Sequence, residues 1–305
     1  MVAEFLFLVV SLLCFEIGFE KTTMKKLSKY LIVFSLLFTA TGCSPSFTYN
    51  NLGWLSGFWI DDYVDLNSDQ ADKFEHIVKT SRDWHRETQL PLYKRDLENL
   101  KTMLDKQVDH NELKAHFVQA KQHWQTLINK IEPELIALAN SLSYKQRVEF
   151  VAALQENIND EYKEHEEKSP EQHKKERLEE NLENYKEWFG SKLTAQQKTL
   201  IESSSNSRVS TFLMWMQYKQ RRLDALKTLF MQKQKPTDFD SQLAVIINNR
   251  LAFMSDELIA ADDKNLDNYV NLLVELKPTL TDKQRRNVRD EFDELIEEVS
   301  DLIDD

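Results

Sequence analysis

Leu280-Thr281-Asp282-Lys283-Gln284 opens a stretch that runs to Leu302, and its reading decides the fold. A threonine followed three residues later by glutamine has capping-box chemistry. The hydroxyl accepts from the amide of the third helical residue, and the glutamine reaches back to the cap amide. Behind it Val288, Phe292, Leu295, Val299 and Leu302 step by three or four, one apolar stripe on an otherwise charged helix. A stripe of that width has to be buried against neighbouring helices.

The same start recurs along the chain. Leu66-Asn67 with Gln70, Leu142-Ser143 with Gln146, and Leu193-Thr194 with Gln197 repeat it, Ser169 with Gln172 adds a box with Pro170 at the first helical position, and Asp109 with Glu112 adds another. Stripes follow these starts: Leu113, Phe117, Trp124 and Ile131; Leu178, Leu182 and Tyr185; Val209, Phe212, Met216, Leu223, Leu226 and Phe230; and Leu243, Ile246, Leu251, Met254 and Leu258. After residue 42 the only glycines are Gly53, Gly57 and Gly190, and β-branched alternation is missing, so strands and hairpin turns lack the residues they need.

The fold class is therefore an all-α, multi-helix bundle, elongated or compact, behind a signal segment. Helices are expected near 68–89, 91–107, 110–141, 144–168, 170–189, 195–233, 239–261, 264–277 and 282–303. Pro91 separates the first two, Pro133 kinks the third, and Gly190 provides a left-handed stop. Dense Glu and Lys over 160–187 predict an exposed helical hairpin projecting from the body. Residues 233–238 form the best linker, so a subdivision near 236 is open.

Ahead of the bundle, Met24 to Ser44 reads MKKLSKYLIVFSLLFTATGCS. Lys25, Lys26 and Lys29 form a positive n-region, Leu31 to Phe38 an apolar run too short for a stable span, and Ala40-Thr41-Gly42 a small-residue approach to Cys43. The pattern resembles the bacterial lipobox, with Ala40 where Leu or Val is usual. That resemblance implies a signal peptide over 24–42, lipidation (palmitate included) at Cys43, and a mature chain beginning there. Residues 1–23, with Glu4 and Glu16 in and beside an apolar run, read as an over-extended start; the competing reading is an N-terminal membrane helix. Residues 43–66 then form the lipidated N-terminus and aromatic segment, and 67–305 the helical domain.

Composition excludes several functions. The full chain carries 51 acidic against 39 basic residues, and removing 1–42 takes away four lysines and three glutamates, leaving a net charge near −13. Such a balance argues against nucleic acid and against electrostatic adsorption to anionic lipid. Only Cys14 and Cys43 are present, so the mature chain is stabilised by packing and not by disulfides. G-x-S-x-G and phosphate-loop motifs are missing, and Cys43 is spent on lipid, which argues against an enzyme.

Two pairs of histidines are candidate metal ligands. His76 and His85 share one helix at a spacing between two and three turns, while His116 and His123 lie two turns apart beside Trp124. Both pairs lack a third ligand nearby in sequence and read as hydrogen-bonded boundary residues. Asp61, Asp62 and Asp65 lack the glycine of a calcium loop and suit the start of the following helix. No metal and no cofactor is expected. The basic groups Lys219, Arg221 and Arg222, and Lys283, Arg285, Arg286 and Arg289, are expected to pair with acidic neighbours at little net energy. The aromatic run, with Leu52, Trp54, Leu55, Phe58 and Trp59, is expected to dock into the bundle; the alternative is a seat at the membrane interface.

Tyr49-Asn50-Asn51-Leu52, Trp59-Ile60-Asp61-Asp62-Tyr63-Val64-Asp65-Leu66, Trp84-His85-Arg86 and Leu90-Pro91-Leu92-Tyr93 resemble the domain-of-unknown-function 6279 lipoproteins of Gram-negative bacteria. The resemblance implies an α-helical envelope lipoprotein and carries over no catalytic residue. Ser44 after the cysteine, where Asp would suggest inner-membrane retention, implies the outer membrane, with the domain facing the periplasm. The repeated Leu-Thr-x-x-Gln also resembles periplasmic chaperones of the Spy and CpxP type. The expected function is binding or scaffolding with an envelope protein partner, and the alternative is a chaperone-like cradle for exported or unfolded proteins.

Overall fold

The computed structural model describes residues 45–305. The signal segment 24–42, Cys43 and residues 1–23 lie outside the described residues. Within them are twelve α-helices, two 3₁₀ turns and no strand. Helix α1 (Pro45–Asn50) and α2 (Leu52–Ile60) carry the aromatic segment, and α3 (Ser68–Thr88) meets α4 (Leu90–Met103) at Gln89, two residues before Pro91. Next come α5 (His110–Ser141), α6 (Tyr144–Glu166), α7 (Pro170–Trp188) and α8 (Ala195–Ser207). The chain closes with α9 (Phe212–Phe230), α10 (Phe239–Asn248), α11 (Asp256–Leu276) and α12 (Asp282–Asp304).

Local chemistry sets the helix starts. Asn67, Ser143, Ser169, Thr194 and Thr281 each form a complete capping box with the glutamine three residues on. Asp109 departs from expectation, because its carboxylate accepts from the Asn111 amide at 3.2 Å without the return bond of a box. Gly190 has φ +54°, and its amide bonds the Glu187 carbonyl at 2.8 Å. A Cβ there would come within 2.1 Å of Asn287 Nδ2, so both conformation and space call for glycine. Helix α5 runs on through Pro133.

Two expected helices are broken. The stretch 195–233 divides because Ser203, Ser204, Ser205, Asn206 and Ser207 compete for their own backbone. Arg208 is extended (φ −67°, ψ 131°), and the Asn265 side chain bonds both the amide and the carbonyl of Val209, at 2.9 and 3.0 Å, in place of a helical ladder. The expected 239–261 helix stops at Asn248. Asn249 caps a 3₁₀ turn (Arg250–Ala252), and Ser255 starts α11 by accepting from the Leu258 amide. Leu251, read as part of a buried stripe, is exposed in that turn. The acidic and basic hairpin does not project freely either, since α7 packs on α8 and α12 through Leu178, Leu182 and Tyr185.

Four apolar clusters hold the described helices together, the smallest of them Leu127, Ile128 and Ile131 of α5 with Trp84 and Trp124 against it. One joins α6, α9 and α10 around Met216, Leu229 and Phe230, with Phe230 stacked on Phe239 across the 231–238 loop at 5.9 Å. A second joins the two ends of the described chain, Tyr49 and Leu52 against Leu90, Val299 and Leu302. The third gathers Phe189, Ile201, Leu276 and Val288. Each fully buried side chain of this kind contributes roughly 1.5–3 kcal/mol.

Candidate functional site

The four Leu-containing helix starts come together in twos. Gln70 and Gln146 exchange carboxamide bonds at 3.2 and 2.6 Å, and Gln197 and Gln284 do so at 2.9 and 3.1 Å. Each Oε1 also accepts from its own cap amide, so both lone pairs are used. The second Nε2 proton follows one register in three of the four. Gln70 donates to Ser141, Gln146 to Asp65 and Gln197 to Thr279, each the carbonyl five residues before the partner glutamine.

The motif leucine has a role here too. A hydrophobic staple would need a buried apolar residue at the fourth helical position, but Arg147, Lys198 and Arg285 stand there in three of the starts and an exposed Ala71 in the other. Instead Leu66 and Leu142 join the cluster around Phe230, and Leu193 and Leu280 the cluster around Ile201. Ser169 with Gln172, preceded by Lys168 and not by leucine, forms its box with Gln172 exposed and outside any such pair. That leucine was the signal in the sequence that separates a pairing start from an ordinary cap.

The Gln70–Gln146 junction fixes a wedge. Helices α3 and α6 begin side by side there. Thereafter α3 packs on α2 and α5, while α6 packs on α9. Between them lies a chamber of about 350 Å³, bounded by α2, α5, α9 and α10 and lined by side chains such as Ile77, Leu127, Ile131, Leu154, Leu223 and Leu226. Its volume falls in the range of small-molecule sites, roughly 300–1,000 Å³.

A buried polar chain runs beside the chamber. Tyr49 Oη lies 2.9 Å from His85 Nδ1, and His85 Nε2 lies 3.2 Å from Tyr93 Oη. The Tyr49 hydroxyl donates to the Arg82 carbonyl at 3.2 Å, which leaves its oxygen to accept from a neutral His85 protonated on Nδ1. Burial, with a smaller contribution from His123, lowers the His85 pKa to about 4. Burial, reinforced by Asp96, pushes the Tyr93 phenol up to about 12. Burial also carries Tyr49 above its ordinary range, against the pull of Arg86 and Arg82. The chain is thus a neutral tie that fixes α1 to α3 and α4.

The remaining sequence candidates are dispersed. His76 is exposed, and His123 Nε2 bonds Asp96 Oδ2 at 2.8 Å. Asp61, Asp62 and Asp65 are exposed, and no group of three or more metal-ligating side chains occurs among the described residues. Lys219 bonds both oxygens of Glu161 at 2.9 and 2.7 Å, Arg289 pairs with Asp105, and Arg222 donates to the Ile246 carbonyl at 3.2 and 3.0 Å.

The aromatic run divides. Leu52 is buried and Trp59 packs on the Tyr49 cluster as expected, but Trp54 and Phe58 are each 59% exposed, with their rings edge-to-face at 5.0 Å. The cause is that α2 is apolar on every side, so only one of its faces finds the body. Phe47 is exposed as well.

A model of the family of unknown function DUF6279 matches residues 62–259, well over half of the chain. This chain belongs to DUF6279. The matched stretch of the DUF6279 chain includes both glutamines of the wedge junction and most of the chamber lining, while α12 and Gln284 lie beyond it. No curated protein matches the chain, and no solved structure does.

Proposed function

We propose that this DUF6279 chain is an envelope lipoprotein, held on the periplasmic face of the outer membrane by lipid on Cys43, that works by binding and not by catalysis. The observation that carries the binding role is the apolar chamber between α3 and α6. Anchoring is supported by the Lys-rich segment from Met24 and the Ala-Thr-Gly-Cys approach to Cys43. It is supported further by an uncharged stretch, 45–60, that starts two residues later and presents Phe47, Trp54 and Phe58 outward. No described helix is long and apolar enough to cross a membrane.

The chaperone alternative is weaker. A cradle for many clients needs a broad adaptable apolar surface, whereas the chamber between α3 and α6 has the volume of a small-ligand site. The test is titration of the purified full chain with a neutral naphthylamine dye that fluoresces in apolar surroundings. One saturable site, lost in Leu223→Trp and Ile131→Trp variants that melt like the parent, is the expected result. Binding unaffected by both substitutions overturns the reading.

A further inference from the structure

The charges along the chamber wall are already satisfied within the protein. Its cations are Arg82, Lys219 and Arg222, and no carboxylate lines it. Both oxygens of Glu161 hold Lys219, at 2.9 and 2.7 Å, and Asp83 takes the fork of Arg82, at 3.0 and 2.6 Å. Arg222 is bound to the Ile246 carbonyl and the Tyr218 hydroxyl. His85 stands neutral between Tyr49 and Tyr93. An ionised group entering here would give up its water and could gain a partner only by breaking a pair that exists, leaving another charge unmatched. An uncharged group meets no such penalty.

The rest of the lining is mostly aliphatic, with leucine and isoleucine side chains from α2, α5, α6, α9 and α10. Its shape follows from the helices. On α3 the lining runs from Phe74 near the Gln70 junction to His85. Helix α9 is antiparallel to α6, with Arg147 bonding the Lys233 carbonyl at one end and Lys219 bonding Glu161 at the other, and its lining runs from Phe230 to Lys219. At 1.5 Å per residue each run covers roughly 16 Å. A volume of about 350 Å³ drawn out over that length is slender, and suits one extended chain better than a compact ring system. We propose that the chamber holds one uncharged, single-chain aliphatic molecule, lying along α3 and α9 and making no ion pair with the protein. This names the ligand class of the binding role proposed above and rests on it.

The test displaces the neutral dye from the purified full chain, at neutral pH and below micelle-forming concentrations, with four ligands of one chain length: dodecanol, methyl dodecanoate, dodecanoate and protonated dodecylamine. Both neutral ligands are expected to bind roughly tenfold or more tighter than either ion. Across a series of primary alcohols, affinity should rise about fourfold per added methylene until the chain outgrows the chamber, and then level off. An ion that binds as tightly as the neutral ligands overturns the inference, as does an affinity that does not rise with chain length. Saturable binding of the dye leaves the binding role intact in both cases. Failure of the dye itself to bind overturns both readings.

Discussion

The carboxamides of Gln197 and Gln284 face one another in the core, 87 residues apart in the chain and each 1% exposed or less, with reciprocal bonds of 2.9 and 3.1 Å. Each also completes the cap of its own helix. One side chain therefore serves secondary and tertiary structure together, and removing it damages both.

Gln284→Leu is expected to lower stability by about 2–4 kcal/mol, combining a lost cap bond with the orphaned carboxamide of Gln197. The Gln197→Leu/Gln284→Leu double variant should lose less than the sum of the single ones, with a coupling of about 0.5–3 kcal/mol. Urea unfolding of the four proteins measures it. Additive losses would mean that the pair is incidental.

Gly190→Ala should cost about 1–2 kcal/mol for the left-handed backbone, and more if the Asn287 bond to the Phe189 carbonyl is displaced. Gly57→Ala, where a Cβ meets nothing within 4 Å, is the control and should be neutral or slightly stabilising. Thermal melts of the two variants separate the cases.

Stability should fall with acid through His85. Its folded pKa of about 4 lies below the unfolded value of 6.5, so the unfolded state binds the proton first as pH drops. The contribution is fully present above about pH 6.5 and is lost progressively down to about pH 4, a total of roughly 3 kcal/mol. His85→Asn should be less stable at neutral pH and should have a flatter stability profile between pH 7 and 4 in denaturant titrations. A profile as steep as the parent's would remove His85 as the cause.

Replacing Cys43 with Ala should move the protein from the membrane to the soluble fraction of disrupted cells. Retention on the membrane would contradict anchoring by lipid at that residue. Trp54→Ser with Phe58→Ser, at exposed positions, should change stability by no more than about 0.5 kcal/mol. The pair should nevertheless weaken binding of the Cys43→Ala chain to liposomes. Trp59→Ala, which removes a ring packed on the Tyr49 cluster, should do the reverse and act on stability.

What was legible in the sequence was what local chemistry decides. Asn67, Ser143, Ser169, Thr194 and Thr281 cap where a cap residue with glutamine three positions on says they should, because every atom of a capping box lies within four residues. The break at Arg208 was missed because the stripe from Val209 to Phe230 hid a run of weak helix formers behind continuous apolar spacing. The glutamine pairs and the chamber were not legible for a different reason. Leu223 and Ile131 have the same spacing whether they meet another helix or a cavity, and nothing near Gln70 in sequence reports that Gln146 will be its neighbour. Trp54 and Phe58 were misplaced because α2 has no polar face to show which side turns outward.

The Tyr49–Leu302 cluster has a consequence for how the chain is made. Tyr49 and Leu52, among the first residues of the domain, bury themselves on Val299 and Leu302, among the last, and Asn50 reaches Asp305 itself at 3.3 Å. At about 5–20 residues per second, translation of the intervening chain takes on the order of ten seconds or more. Throughout that interval the opening segment has only α3 and α4 to close against. The clasp is completed only when the final turn of α12 emerges, so a chain truncated by even a few residues at its end leaves its beginning unfastened.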